Sequence, residues 1–247
     1  MRTPFASTTS FGSTPQPFAA APQTTTDIPF NARPLIRKEQ RRRDLYLYRS
    51  PKLKRTVEVI GALSLTVALE LEFSPSTVAF VERPRLLRYG GAEVELDFWQ
   101  RERSGRERFH LLVSDDALEI EPISRRRRHR SARELVEAAN AAGISLEFVL
   151  EADLVARAAA LGTWYRLLPY VQTAYSLPHR ITIEERVLEA FSAQSRMTFM
   201  QMEATLRGLH PADVRAVVCA LIHRGTLSID AMKPLHLHTV VEVGGAA

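Results

Sequence analysis

A chain of 247 residues, 45% of them apolar, is long enough to bury the cores of two modest domains. Its single cysteine, Cys219, excludes a disulfide framework and a cysteine-built metal site, no apolar run reaches the roughly 18 residues of a membrane span, and the first residues lack the charged and apolar sections of a signal peptide, so a reduced cytoplasm is the expected setting. The net charge of +5 and pI near 9.6 suit a polyanionic partner.

Residues 1–32 are rich in Thr, Ser, Pro and Ala with almost no charge and no apolar period, which predicts a disordered tail. Its Phe5, Phe11, Phe18 and Phe30 are either docking points for a partner or part of a plain solvated tail. The character then changes abruptly. Between 33 and 55 stand Arg33, Arg37, Lys38, Arg41, Arg42, Arg43, Arg49, Lys52, Lys54 and Arg55, opposed only by Glu39 and Asp44, with Tyr46 and Tyr48 interleaved. Such a run reads as a basic arm that contacts phosphates, the alternative being a solvated surface.

The stretch from Thr56 to Asp116 organises the rest. Val57, Ile60, Ser64, Val67 and Leu71 recur at helical spacing, and no charged residue lies between Glu58 and Glu70, which predicts one helix with a buried face whose polar member is Ser64. After Ser74-Pro75-Ser76 come extended runs at 78–82, 85–89, 93–99 and 108–113, with Gly90-Gly91 joining the second to the third as a hairpin. Asp97 stands near the end of the third run, between Leu96 and Phe98, and Glu95, two residues earlier, shares its strand face.

A second basic block, Arg125, Arg126, Arg127, Arg128 and Arg130, follows the last of these runs, and the same two readings apply to it. Ser131 with Glu134 predicts a capped helix ending at Gly143, residues 144–150 a further strand, and 151–175 one broken or two short helices around Leu154, Trp164, Leu167 and Leu168. Residues 178–247 read as a separate small domain. Thr182, Thr198 and His210-Pro211 open three helices, Gly225 ends the third, and two short extended runs follow, an order that predicts a winged helix. Its third helix would be the one to enter a major groove, with Asp213, Arg215, His223 and Arg224 facing outward. His236 and His238 share a strand face but lack a third ligand at metal-site spacing, and read as surface residues of the wing.

Several of these segments resemble the TnsA family, the endonuclease subunits of heteromeric transposases. The resembling residues are Arg55-Thr56-Val57, Leu71-Glu72-Phe73-Ser74-Pro75 with Val78, Arg83-Pro84 where relatives usually have Gln-Pro, Leu96-Asp97-Phe98 where they usually have Pro-Asp-Phe, Gly143 with Leu146 and Phe148, and 225–230 with Pro234-Leu235 and Thr239. The resemblance covers roughly 49–241 and implies an α/β restriction-endonuclease-like core over 56–177, followed by an α+β winged helix over 178–247. It also implies DNA at transposon ends, a TnsB-like DDE transposase and a TnsC-like AAA+ ATPase as partners.

The family's metal site uses an acidic residue of the helix, the Asp before Phe, and a Glu-x-Lys on the next strand. Here those positions fall on Ser64, Asp97, and Leu112 with Ser114, so Asp97 alone survives. Phosphodiester hydrolysis at such a site needs two or three carboxylate oxygens around a hard divalent cation, which activates a bound water. The chain has no lysine between Lys54 and Lys233, so the catalytic lysine has not merely shifted. The expectation is therefore a nuclease scaffold without its activity or a cofactor, binding DNA through Arg37, Lys38, Arg41, Arg42, Arg43, Lys52, Lys54, Arg55, Arg125, Arg126, Arg127, Arg128, Arg130, Arg215 and Arg224. The alternatives are an active endonuclease holding Mg²⁺ or Mn²⁺ with Asp97, Glu95 or the nearby Asp115 and Asp116, and a regulator acting through the winged helix alone.

Overall fold

The computed structural model describes residues 28–35, 44–121, 125 and 127–244. Strands β1 (Leu45–Arg49) and β2 (Thr56–Ile60) pair antiparallel, Tyr48 opposite Val57. The helix expected from Thr56 therefore begins later, because Val57 and Val59 alternate inward as strand residues and Gly61, at φ 82°, breaks the chain before α1 (Ala62–Phe73). Val57 and Ile60, three apart, fit one helical face but fall on opposite faces of a strand, and the β-branched Val57 and Val59, two apart, take the inward face instead. The helix is buried on most sides, from Leu65 through Leu69 and again from Leu71 to Phe73, and not along a single stripe.

Strands β3 (Thr77–Glu82), β4 (Leu86–Tyr89) and β5 (Ala92–Glu95) follow, and Gly90-Gly91 does join β4 to β5. The third predicted run divides at Leu96-Asp97. Leu96 N–H donates to the Arg85 carbonyl and Asp97 N–H to the His110 carbonyl, which ends β5 and aligns β6 (Phe98–Glu102) on β7 (Glu107–Val113). Past the short pair β8 (Leu118–Ile120) and β9 (Arg127–His129) come α2 (Ala132–Ala141) and β10 (Leu146–Leu150). Ser131 makes no side-chain cap on α2. The central sheet has the order β10-β7-β6-β3, with β10 parallel to β7 and the other pairs antiparallel.

One face of this sheet, through Phe80 and Phe98, joins α1 in the larger core; the other, through Val81, Trp99, Phe109 and Leu111, takes Leu135 and Ala139 of α2. Phe30 also packs on the second face, its ring edge-on to Trp99 and Phe109 at 5.4 Å from each. Residues 28–32, expected within the disordered tail, thus lie against the sheet, where the rings of Trp99 and Phe109 give Phe30 an apolar seat.

Helices α3 (Glu151–Ala156), α4 (Ala158–Ala174) and α5 (Arg180–Ala193) lead to β11 (Arg196–Thr198), α6 (Phe199–Thr205) and α7 (Pro211–His223), then β12 (Leu227–Ile229) and β13 (Val240–Val243). Thr182 lies inside α5 and does not cap it. Thr198 and Gln201 form a reciprocal capping box on α6. The last three strands form a sheet of order β11-β13-β12. Leu167 and Val171 of α4 and Val214, Val217 and Leu221 of α7 belong to the core that also holds Val57 and Leu69. The boundary expected at 177 is therefore crossed by one continuous apolar interior.

Candidate functional site

Asp97 is held in the bend between β5 and β6. Its Oδ2 accepts the Leu112 N–H at 2.7 Å, and its backbone is fixed at both ends by Arg83 and His110. Burial pushes the Asp97 carboxyl up to about 7, against the opposing effect of the Leu112 hydrogen bond, and the charge of Glu95 raises it further. The fold thus brings together Asp97 and Leu112, two of the four expected site positions, but Leu112 contributes its amide and a hydrocarbon side chain. Ser114 is exposed and donates its hydroxyl to Asp116, and Ser64 lies half-buried in α1.

Neither alternative ligand set converges. Glu95 Oε1 is taken by the Arg33 guanidinium at 2.6 Å, and Asp115 faces Arg127 at 3.6 Å. Among the described residues no group of three or more His, Cys, Asp or Glu side chains gathers. A hard cation needs several oxygens at once. One half-buried carboxylate, with an oxygen already bonded to an amide, does not fit Mg²⁺ or Mn²⁺.

The residues expected to face phosphates divide into three groups. Arg37, Lys38, Arg41, Arg42, Arg43 and Arg126 lie outside the described residues. A second group has structural duties, which corrects the reading of a free arm. The Arg55 guanidinium forks onto both oxygens of Glu82, at 2.8 and 2.6 Å, and that carboxylate is 2% exposed. Lys52 donates from Nζ to the Leu71 and Ser74 carbonyls at the end of α1, and burial lowers its pKa to about 8. In the second block, Arg127 meets Asp115, Arg128 bridges Glu119 and Glu121, and Arg130 donates to the Asp116 carbonyl. These latter pairs are exposed and hold weakly. In the third group, Lys54 and Arg125 have no carboxylate partner among the described residues.

The expected groove-facing surface of α7 is also corrected. Residues 216–223 are all buried, with Ala216 and Ala220 against Ala174 of α4. Arg215 is held by Glu203 at 2.6 Å and Arg224 by Glu184 at 2.6 Å. His223, expected outward, is 4% exposed and bonds Glu72 at 2.8 Å. Val214, Val217 and Leu221 mark one buried face of α7; the small Ala216 and Ala220 let α4 close over a second.

A buried polar chain that sequence reasoning did not find crosses the sheet. The Gln100 amide donates to Thr77 Oγ1 at 2.9 Å, its carbonyl oxygen lies 2.8 Å from His110 Nε2, and His110 Nδ1 faces Glu147 at 3.9 Å. Burial lowers the His110 pKa, and Nδ1 has no hydrogen-bond partner among the described residues.

No protein-family model matches the sequence, and no curated protein matches it either. No helix among the described residues is long and apolar enough to cross a membrane.

Proposed function

We propose that this chain is a DNA-binding, catalytically degenerate TnsA-like subunit of a transposition complex, with a restriction-endonuclease-like core and a winged-helix unit after it. The observation that carries the reading is Asp97 turned onto the Leu112 amide, within a helix, antiparallel β3-β6-β7, helix and parallel β10 order. That order suits the core the resemblance implies. The partner of Asp97 on β7 is then a leucine, so the scaffold keeps the position of a metal site and lacks the donors to fill it.

For DNA binding the support is the charge of +5 and cations without a carboxylate partner among the described residues, Lys54 and Arg125 among them. The covered face of α7 favours a C-terminal unit that docks on protein, so assembly beside a DDE transposase and an AAA+ ATPase at transposon ends suits it better than base reading. Arg127 and Arg128 exchange exposed carboxylate partners, and Arg130 a backbone carbonyl, for phosphates at little cost.

The test is incubation of the purified protein, alone and with a cognate transposase, on duplex carrying transposon ends with Mg²⁺ or Mn²⁺. Salt-dependent binding without cleavage is expected. Metal-dependent cutting that Asp97→Ala abolishes would establish the active endonuclease instead, and absence of DNA binding at low salt would remove both.

A further inference from the structure

A pocket of about 270 Å³ lies between the β1–β2 connection and the end of α4, lined by Arg49, Ser50, Pro51, Lys54, Gln172 and Tyr175. Its walls are fixed. Ser50 Oγ donates to Glu72 Oε2 at 2.5 Å and accepts Leu53 N–H at 2.9 Å, while Gln172 Nε2 donates to the Arg49 carbonyl at 2.8 Å and ties α4 to the end of β1. The cations at its rim are not spent on the fold: Arg49 and Lys54 are exposed and have no carboxylate partner among the described residues. Tyr175 is 47% exposed, with the Arg180 guanidinium 5.2 Å from its ring centroid.

Lys54 adds a second, independent sign. Its φ of 56° lies in the left-handed region, where glycine is the relaxed residue. Its N–H donates to the Ser50 carbonyl at 2.8 Å, so the turn needs that backbone shape and no lysine side chain. The chain carries a strained, unpaired cation where an uncharged residue would be easier.

Two free cations, an exposed aromatic ring and an amide around a small cavity match the way proteins hold single-stranded nucleic acid, phosphate on cation and base on ring. We propose that this pocket takes one unpaired nucleotide of a DNA strand, its phosphate between Arg49 and Lys54 and its base against Tyr175. The proposal rests on the DNA-binding reading above and narrows it: a cavity of about 270 Å³ is on the scale of a single nucleotide and not of paired duplex. A frayed or nicked end is the class of substrate it selects.

The experiment measures binding of a fluorescent oligothymidylate and of a blunt duplex of equal length to the full chain and its variants. Lys54→Gly removes the cation while relaxing the turn, so it is expected to melt no lower than the parent, yet to flatten the logarithmic salt dependence of oligothymidylate binding by about 0.7. Tyr175→Ala is expected to weaken that binding about tenfold and Tyr175→Phe to leave it intact. Duplex affinity stays unchanged in both Tyr175 variants, and Lys54→Gly lowers it less than it lowers oligothymidylate affinity. Oligothymidylate binding insensitive to both Lys54→Gly and Tyr175→Ala overturns the pocket, as does an equal loss on duplex, which marks general backbone attraction. Duplex binding with no oligothymidylate binding also overturns it and leaves the DNA reading standing. If neither probe binds, the DNA reading falls, and the pocket's assignment with it.

Discussion

The Glu72 carboxylate, at the end of α1, and the His223 ring, at the end of α7, are joined by a 2.8 Å hydrogen bond where their side chains are 0% and 4% exposed. Glu72 also accepts from Ser50 Oγ at 2.5 Å and Lys52 N–H at 3.0 Å, so one side chain gathers the β1–β2 connection, the central helix and the C-terminal helices. Removing it as Glu72→Ala leaves three buried donors without an acceptor, for an expected loss of about 3–5 kcal/mol. His223→Phe keeps an aromatic ring against Phe73 and forfeits one bond, for about 1–3 kcal/mol. Urea unfolding of both single variants and the double one measures this. Strictly additive losses would mean that the two residues act separately.

Arg55 stood in sequence among cations read as phosphate contacts, yet its guanidinium neutralises a Glu82 carboxylate that is 2% exposed. Arg55→Ala strands that charge and is expected to cost about 3–5 kcal/mol. Arg55→Lys keeps the charge but cannot span both oxygens, so its loss falls between that of Ala and the parent. Thermal melts check the order. A melting point for Arg55→Ala equal to the parent's would return Arg55 to the surface.

What could be read from sequence was local. Thr198 announced a helix start because a cap needs only its near neighbours, and the helix begins there, whereas the box expected of Ser131 with Glu134 makes no side-chain cap. Gly90-Gly91 announced the β4–β5 hairpin on equally local grounds. The positions Asp97 and Leu112 were legible only through the family resemblance, and their contact across β5–β6 and β7 was not legible at all. Partners far along the chain decided the remainder. Phe30 looks like any aromatic of a tail until Trp99 and Phe109 supply its pocket, and His223 looks like the outer edge of a helix until Glu72 meets it. A charge run shows neither which cations find a buried carboxylate, as Arg55 does, nor which, like Lys54, find none among the described residues.

Asp97 gives stability a defined pH dependence. Burial raises its folded pKa to about 7, above the ordinary carboxylate value, so the folded chain holds the proton more tightly than the unfolded chain does. Between roughly pH 4 and 7 stability therefore falls as pH rises, and the penalty is complete above about 7. Asp97→Asn carries no such charge and keeps an oxygen for the Leu112 N–H. Relative to the parent it is expected to gain roughly 2–4 kcal/mol on going from pH 4 to 8. Melting points of the two proteins across that range test this, and parallel curves would refute it.

Phe30 predicts where truncation becomes costly. Its ring edges meet Trp99 and Phe109, and the Arg33 guanidinium just beyond bonds Glu95 at 2.6 Å. Phe30→Ala is expected to cost about 2 kcal/mol, less than a fully buried ring because Phe30 is only half-buried. Removing residues 1–27 leaves these contacts in place, so that truncation should melt with the parent, whereas removal through 32 should melt with or below Phe30→Ala. Equal melting points for the two truncations would show that the aromatic contact adds nothing to stability.

Gly225, which follows α7, lies against Pro75 in the turn after α1. A Cβ built there would lie 2.5 and 2.6 Å from the Cβ and Cγ of Pro75, and the backbone stands at φ 80°. Gly208 shares the positive φ, at 95°, but a Cβ there meets nothing within 4 Å. The pair separates backbone strain from steric contact. Gly208→Ala pays only for its conformation, about 1–2 kcal/mol. Gly225→Ala adds a clash with a rigid ring whose retreat would move the end of α1, where Glu72 holds His223, so it should lose clearly more than Gly208→Ala. Replacing Pro75 by Gly in the Gly225→Ala background removes the opposing ring and should recover the difference, leaving the conformational part. Unfolding curves for the three variants decide it: equal losses for the two alanine substitutions, or no recovery on removing the ring, would mean that α7 and the turn after α1 are not pressed together at this point.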